Sequence, residues 1–329
     1  MVFNDTMLSS ALTIRHLTSI DYIIKTKAIN DLEEKILQWL SRSVCGSIIY
    51  GRARIGKTRA MLHAANTIRD IYEDIIPVII WDITDHAITE KNFYASLLMA
   101  MGVSHPNRGM TALILKERVL NELIILGNQG IFKKVIIMID EAWKLSIKDF
   151  NWLMDLYNNL NHRDIQLICF LFGTRELKSL KNMLKNEGKD QIVGRFMVNE
   201  FQFYGMKDIN ELVLCLLNLD KEQIQFLDKK KDVSLLDFYF PNASMEGKSF
   251  VSLANEYWNG FTKIQSKYNF TKKDIPMKYF IDSFVILLTK YGALSHNRVA
   301  FPGKKELEDC IIESGYRESD EQKGKKKLS

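Results

Sequence analysis

Two glycines five positions apart, followed by a lysine and a threonine, lie in the stretch YGRARIGKTRA at residues 50–60. Gly51, Gly56, Lys57 and Thr58 fit the pattern G-x-x-x-x-G-K-[ST]. In this pattern the glycines let backbone N–H groups curve around an anion, and the following helix contributes its positive N-terminal end. Lys57 would reach the terminal phosphates of a nucleotide, and Thr58 would offer its hydroxyl to Mg²⁺. We therefore predict that ATP and Mg²⁺ are the cofactors, and that the nucleotide-binding residues are Gly51, Arg52, Ala53, Arg54, Ile55, Gly56, Lys57, Thr58 and Arg59.

An acidic pair, Asp140 and Glu141, ends the strongly apolar stretch VIIMIDEAW. Such a run predicts a buried strand, and open α/β sheets bind ligands at the carboxyl ends of their strands. Asp140 would hold Mg²⁺ through water, and Glu141 would orient and deprotonate an attacking water molecule. Solvated acids that merely end a strand are the alternative, which the glycine-rich loop upstream disfavours. The acid pair favours hydrolysis over phosphoryl transfer to a small molecule, because a kinase must keep water out.

Three further residues are candidates for a role in hydrolysis of the bond to the γ-phosphate. Thr174 follows the apolar run in FLFGTREL, so its hydroxyl can face the γ-phosphate and the attacking water. Arg195, in VGRFM, is a candidate arginine finger that would act on a neighbouring subunit, and Arg175 is a weaker rival for that role. A plain turn residue is the alternative for Thr174, and a surface arginine is the alternative for Arg195.

Apolar runs that alternate with helical patterns must position these residues. The runs predict β-strands at residues 46–50, 77–83 and 133–143, a strand that continues into a helix over residues 165–177, and a candidate fifth strand at residues 196–205. Strands that alternate with helices over such a length predict a parallel sheet with helices on both faces, so the expected fold class is α/β. After Gly205 the pattern becomes helical, with no strand of comparable strength. Residues 220–275 match no pattern that we can assign.

This change in pattern divides the chain into four predicted regions. Residues 1–45 would form an N-terminal helical extension, and residues 46–205 a P-loop ATPase core. Residues 206–315 would form a helical lid or C-terminal domain. The lysine-rich residues 316–329 would form a disordered basic tail.

Composition places mild limits on function. The 329 residues include 45 Lys and Arg and 40 Asp and Glu, which gives a net charge of +5. A protein dedicated to coating DNA is usually more basic. The four cysteines lie far apart with no metal-binding spacing. No apolar run is long enough to cross a membrane, and the start lacks a secretory signal. We expect a reduced, cytoplasmic protein without a membrane partner.

The combined motifs resemble those of the AAA+ ATPase class, which has a P-loop NTPase core and a C-terminal helical lid. More narrowly, GRARIGKTRA, VIIMIDEA, FLFGTREL and the segment from GRFM to GMKDINEL resemble the TniB/TnsC group of transposition ATPases. The resemblance covers about residues 28–220. It implies a protein that assembles ATP-bound rings or filaments of itself on double-stranded DNA. Such a protein links a TniQ-like target-selection protein to a transposase, and ATP hydrolysis drives its disassembly.

The resemblance also implies a role for each matching residue. Lys57 and Thr58 would contact ATP and Mg²⁺, Asp140 would contact Mg²⁺, and Glu141 would be the base. Thr174 would be the first sensor, and Arg195 the possible finger. For the second sensor, an arginine in the lid, Arg298 is the late candidate.

Contact with DNA is predicted from basic residues in or beside loops, for which an ordinary solvated surface is the alternative. Trp143 is interpreted as a packing residue rather than a platform for base stacking. The basic candidates are Arg108, Lys116, Arg118, Lys144 and Lys148.

Two other functions share the same predicted core. One is an AAA+ or STAND-like ATPase switch in signalling or defence, with the helical C-terminus as effector or oligomerisation module. The other is a helicase-loader-type ATPase of the DnaC/IstB kind, which differs in its partner. A transposase gene beside this one would favour transposition, and an adjacent nuclease or toxin gene would favour the switch.

Overall fold

The computed structural model describes residues 2–19, 22–83, 89–104, 106, 109–224 and 233–319. The chain divides into two compact units. The sheet unit consists of residues 30–53 and 57–203, and the helical unit of residues 1–29, 54–56 and 204–329.

Helices and strands are numbered here in chain order. Up to the end of the sheet unit they are α1 (Val2–Thr18), α2 (Lys27–Ser41), β1 (Gly46–Tyr50), α3 (Lys57–Ile71), β2 (Val78–Asp82), α4 (Glu90–Ala100), α5 (Ala112–Gln129), β3 (Lys134–Asp140), α6 (Ile147–Asn161), β4 (Gln166–Gly173), α7 (Glu176–Asn186), α8 (Asp190–Phe196) and β5 (Asn199–Gln202). The helices that follow are α9 (Ile209–Asp220), α10 (Leu235–Tyr239), α11 (Pro241–Met245), α12 (Ala254–Lys267), α13 (Met277–Tyr291) and α14 (Lys304–Glu313). Short 3-10 helices cover Ala142–Lys144, Phe250–Leu253 and Tyr316–Ser319.

The sheet has the strand order β2-β3-β4-β1-β5, and every pairing in it is parallel. The register pairs Tyr50 with Gly173 and Asp82 with Asp140. The carboxyl ends of β1, β2, β3 and β4 therefore lie along one edge of the sheet. This edge carries the loop after β1, the acidic pair after β3 and Thr174 after β4.

Burial on both faces explains why the central strands are continuous apolar runs. The side chains from Val135 to Ile139 are fully buried, as are those from Ile168 to Phe172. A parallel sheet covered by helices on both faces requires this pattern, because neither face of its strands meets water. The predicted α/β fold class, with a parallel sheet and a helical C-terminal region, is confirmed.

The helical unit has an aromatic core of its own. Phe250 and Phe284 pack edge to face with centroids 4.9 Å apart, and Phe261 packs against Tyr316 at 4.8 Å. Helix α1 belongs to this unit, where Ser10 hydrogen-bonds to the Tyr239 hydroxyl at 2.7 Å. Residues 220–275, which no sequence pattern explained, include the short helices α10 and α11 and helix α12.

Two predicted regions differ from what the structure shows. Residues 1–29 group with the helical unit, whereas the sequence predicts a separate extension over residues 1–45. Within the predicted tail, Tyr316–Ser319 form a 3-10 helix because Tyr316 is buried, and residues 320–329 lie outside the described residues. None of the described helices has the length and apolar character needed to span a lipid bilayer. The functions assigned to the four regions stay predictions.

The buried centre of β4 generates a stability prediction. Leu171 is fully buried and lies opposite Ile139 of β3. Leu171→Ala should lower the free energy of unfolding by about 2–5 kcal/mol, because the cavity it leaves cannot collapse in a packed sheet. Val198→Ala is the control, since Val198 is 47% exposed, and it should change stability by less than about 0.5 kcal/mol. Equal effects in urea titrations of the two variants would contradict this assignment of the core.

Candidate active site

The glycine-rich loop connects the end of β1 to the start of α3. Gly56 has φ +105°, a conformation that residues with a Cβ rarely adopt, so a glycine is needed there. Lys57 is the first residue of α3 and is 6% exposed. Its ammonium donates a hydrogen bond to the carbonyl oxygen of Arg52 at 2.9 Å, which holds the charge against the loop. The loop thus places a buried ammonium at the positive end of a helix, as anion binding requires.

The other predicted nucleotide-binding residues differ in exposure. Arg52 and Ile55 are buried, Ala53 and Arg54 are exposed, and Arg59 is half-buried in the first turn of α3. Arg54, Ile55 and Gly56 group with the helical unit. There the Arg54 guanidinium donates to the hydroxyl of Tyr279 at 3.0 Å.

Asp140 lies at the centre of the site with its side chain directed to the start of α3. The Thr58 hydroxyl donates to its carboxylate at 2.5 Å, and the Glu141 amide donates to its other oxygen at 2.9 Å. Burial raises the pKa of Asp140 and the charges of Glu141 and Asp82 raise it further, while the hydrogen bonds from Thr58 and the Glu141 amide oppose these effects. The site therefore holds a buried negative charge that its protein partners compensate only in part.

These residues fit Mg²⁺. Thr58 and Asp140 present hard oxygen atoms within hydrogen-bond distance of each other, and Mg²⁺ is usually bound through one or two carboxylates and phosphate oxygens. A cation here would also offset the cost of burying the Asp140 charge. Thr58 and Asp140 would hold the ion, which would supply positive charge to the phosphate oxygens of a bound nucleotide.

Glu141 and Thr174 lie at the same edge of the sheet. Glu141 has φ +51° and ψ +32°, which ends β3 and turns its side chain out of the strand alternation. Thr174 follows Gly173, whose carbonyl accepts a hydrogen bond from the Gly51 amide at 3.2 Å. The Thr174 hydroxyl oxygen is buried and makes no hydrogen bond within the described structure. A buried hydroxyl is normally hydrogen-bonded, so Thr174 can take a phosphate oxygen or a water as partner.

Arg195 lies at the opposite edge of the sheet from these residues. It is in the last turn of α8, where a Cβ added to Gly46, the first residue of β1, would lie 2.5 Å from the Arg195 carbonyl oxygen. Its guanidinium lies over the ring of Tyr157, 5.4 Å from the centroid. The length of β1, about 13 Å, separates this position from the loop of the same chain. Arg175, by contrast, directly follows Thr174 and is exposed at the start of α7.

The basic residues predicted to contact DNA differ in their partners and in their exposure to solvent. Lys116 forms an ion pair with Asp155 at 3.0 Å, and Lys144 donates to the carbonyl oxygen of Ile83 at 2.8 Å. Arg118 is half-buried, Lys148 is exposed, and Arg108 lies outside the described residues. Contact with DNA stays a prediction for all of them.

Sequence reasoning missed two residues of this edge. Asp82 ends β2 directly opposite Asp140. The sequence could have indicated this residue, because Asp82 is an acid at the end of an apolar run, as Asp140 is. Trp143 donates its indole N–H to the Glu141 carboxylate, and no local pattern indicates this contact. The interpretation of Trp143 as a packing residue is therefore incomplete. Arg298, the candidate second sensor, lines a surface cleft of about 330 Å³ with Tyr239 and Asn242.

Comparison with known proteins supports the fold. Residues 46–180 match the model of a family described as an AAA domain. The sheet unit has an AAA-type P-loop NTPase fold. No curated protein matches the chain significantly.

Several solved structures resemble the chain at low identity. The ORC2 protein of Aeropyrum pernix in its ADP form is 14% identical, with 91% of this chain and 88% of that chain covered and a TM-score of 0.49. Cdc6p of Pyrobaculum aerophilum is 10% identical, with 91% of this chain and 90% of that chain covered and a TM-score of 0.45. Domain III of the Thermotoga maritima replication initiation protein DnaA is 13% identical, with 82% of this chain and 94% of that chain covered and a TM-score of 0.36. Similarities this low carry no information about function.

The buried charge of Asp140 generates a prediction about pH. Because its pKa is raised in the folded state, the charged form destabilises the fold, and this cost appears as pH rises through the ordinary range of an aspartate toward the raised value. Asp140→Asn removes the charge and keeps an oxygen acceptor for Thr58, but its NH₂ group cannot accept the hydrogen bond that the Glu141 amide donates to the second oxygen of Asp140. In the absence of nucleotide, the melting temperature of the variant relative to that of the wild type should be higher at neutral pH than in acid.

Thermal unfolding followed by circular dichroism at several pH values measures this difference. Asp70→Asn, at an exposed position on α3, is the matched control and should leave the melting temperature unchanged. A difference in melting temperature that stays constant from acid to neutral pH would contradict a destabilising charge on Asp140, since the lost hydrogen bond from the Glu141 amide does not depend on pH in this range.

Proposed function

We propose that this chain is a Mg²⁺-dependent ATPase whose active site is completed by a second copy of the chain. The observation that carries the proposal is the meeting of Lys57, Thr58, Asp140, Glu141 and Thr174 at one edge of the sheet. This set combines an anion-binding loop, oxygen ligands for a cation, a carboxylate base and an unsatisfied hydroxyl. A site built only to bind nucleotide has no need of the carboxylate base.

The reaction follows from the roles of these groups. The loop amides and the Lys57 ammonium bind the phosphate oxygens and stabilise the negative charge of the transition state. Glu141 accepts a proton from a water molecule, whose oxygen forms a bond to the γ-phosphorus as the bond to the β,γ-bridging oxygen breaks. The products are ADP and phosphate. Thr174 would donate a hydrogen bond from its hydroxyl to a γ-phosphate oxygen and so align that group.

The position of Arg195 supports a shared site. At the far edge of the sheet it cannot act on the loop of its own chain, but its half-buried side chain keeps some exposure through which it could face the loop of a neighbouring copy. An arginine that reaches a γ-phosphate neutralises charge that develops during hydrolysis. We propose that Arg195 has this role and that the chain forms rings or filaments when ATP is bound.

The biological setting that we propose is regulation of DNA transposition. The support for it is the resemblance of GRARIGKTRA, VIIMIDEA and FLFGTREL to the TniB/TnsC group. In this setting the assembly forms on double-stranded DNA, contacts a transposase and a TniQ-like target-selection protein, and disassembles after ATP hydrolysis. The cytoplasm is the expected location.

Shared active sites make hydrolysis depend on assembly. ATP turnover per subunit should rise steeply with protein concentration, and double-stranded DNA should raise it at low protein concentration by bringing subunits together. Higher salt should weaken the stimulation by DNA, because each phosphate neutralised by Lys or Arg releases a counterion. Turnover per subunit that is independent of protein, DNA and salt would contradict both assembly and the role in transposition.

Mixing two inactive variants tests whether Arg195 of one subunit acts on the nucleotide-binding loop of another. Arg195→Ala should bind ATP yet lose about 10³-fold in turnover, and Lys57→Ala should lack a working loop. In mixed assemblies the Lys57→Ala subunit supplies Arg195 to the intact loop of its neighbour, so part of the activity should return. Arg163→Ala, at an exposed position, is the control and should remain active alone. If the mixture stays as inactive as its components, Arg195 does not act between subunits.

A further inference from the structure

The candidate base has an unusual neighbour on its own chain. Trp143, two residues after Glu141, donates its indole N–H to the Glu141 carboxylate. Trp143 is 37% exposed, so this contact lies where solvent can reach it rather than in the core. Glu141 itself is in the left-handed region of backbone conformation, so the segment bends back on itself and brings the two side chains together.

The surroundings of the indole fix its position. A Cβ added to Gly173 would lie 3.3 Å from Cδ1 of Trp143, so the ring packs directly on a position that has no side chain. The next residue along the chain, Lys144, is tied to the end of β2 through its hydrogen bond to the Ile83 carbonyl at 2.8 Å. The ring is therefore held between the Glu141 carboxylate and the end of β4, where Thr174 begins the next segment.

A fixed donor matters here because a glutamate side chain is flexible. Three rotatable bonds separate its carboxylate from the backbone, and holding it in one rotamer costs conformational entropy. A hydrogen bond to an ionised group can offset this cost, since such bonds are stronger than those between neutral groups. The indole N–H donates to one carboxylate oxygen, Oε2, and leaves the other available to a water molecule.

We propose that Trp143 is a positioning residue for Glu141: its indole N–H holds the carboxylate in the orientation from which it accepts the proton of the attacking water. This inference rests on the proposed ATPase function, in which Glu141 is the base. Trp143 itself touches neither water nor phosphate in this role. Because Gly173 has no side chain, the indole can approach closely enough to be anchored there.

The first test compares kinetic constants. Trp143→Phe keeps an aromatic ring against Gly173 but removes the N–H. It should lower kcat by about 10-fold, less than the about 10²-fold expected for loss of the base itself, and leave KM for ATP nearly unchanged. Trp143→His, which retains a ring N–H, should recover part of kcat. Trp258→Phe, in the helical unit, is the control and should match the wild type.

A double-mutant comparison separates positioning from a structural role. In Glu141→Gln, where the base is already lost, adding Trp143→Phe should not lower residual hydrolysis further. A structural role would lower hydrolysis by the same factor in both backgrounds. If Glu141→Gln hydrolyses ATP far more slowly than wild type but Trp143→Phe equals wild type, the inference is wrong and the proposed function stands. If wild type hydrolyses no ATP, the proposed function fails and the role of Trp143 fails with it.

A readout independent of activity is the indole N–H resonance of Trp143 in a ¹H–¹⁵N spectrum. The chain has five tryptophans and therefore at most five indole N–H resonances, so the one that disappears in Trp143→Phe is that of Trp143. Glu141→Ala should shift this resonance and speed its exchange with solvent, while Glu141→Gln, which keeps an acceptor oxygen, should change it less. An indole resonance that is identical in wild type and Glu141→Ala would overturn the contact and the proposal.

Discussion

The hydrogen bond from Thr58 to Asp140 is the interaction on which the rest of the site depends. It joins the first turn of α3 to the end of β3, although β4 lies between β1 and β3 in the sheet. It can form only because the strands are parallel and in register, so that their carboxyl ends reach the same edge. The partly compensated charge of Asp140 shows the cost of this arrangement. Because burial raises the pKa of Asp140, its charged form lowers the stability of the fold.

Much of the sheet unit could be predicted because its signals are local. Each buried strand is an apolar run, and Lys57 and Thr58 begin the helix that follows the first of these strands. The meeting of Thr58 with Asp140 also follows from a sequence pattern, since parallel strands bring their carboxyl ends together. The pairing of Asp82 with Asp140 was within reach of the same argument.

The helical unit and the contact between Trp143 and Glu141 could not be predicted, and the reasons are physical. Helix α1 is tied to its unit by Ser10 and Tyr239, which are 229 residues apart in sequence. The short helices between residues 220 and 275 are stabilised by aromatic packing such as that of Phe250 on Phe284, and this packing has no sequence period. The position of Trp143 depends on the left-handed backbone of Glu141, for which the side-chain type provides no signal.

The location of Arg195 suggests why such a site would be divided between copies of the chain. Its guanidinium is held over Tyr157 at the edge of the sheet farthest from its own loop. An active site that lacks its finger until a neighbour arrives links hydrolysis to assembly without any moving part. In the function that we propose, the same separation would let an assembled state persist with ATP and end when the nucleotide is hydrolysed.

The central claim is that the loop from Gly51 to Thr58 binds ATP through Lys57, and equilibrium binding tests it most directly. Titration of a fluorescent ATP analogue in the presence of Mg²⁺ would compare the wild type with Lys57→Ala and with Lys35→Ala, an exposed control on α2. Loss of a buried, charge-assisted contact should weaken binding to Lys57→Ala by about 10-fold to 10²-fold, while both variants stay folded. Unchanged affinity in folded Lys57→Ala would contradict the account.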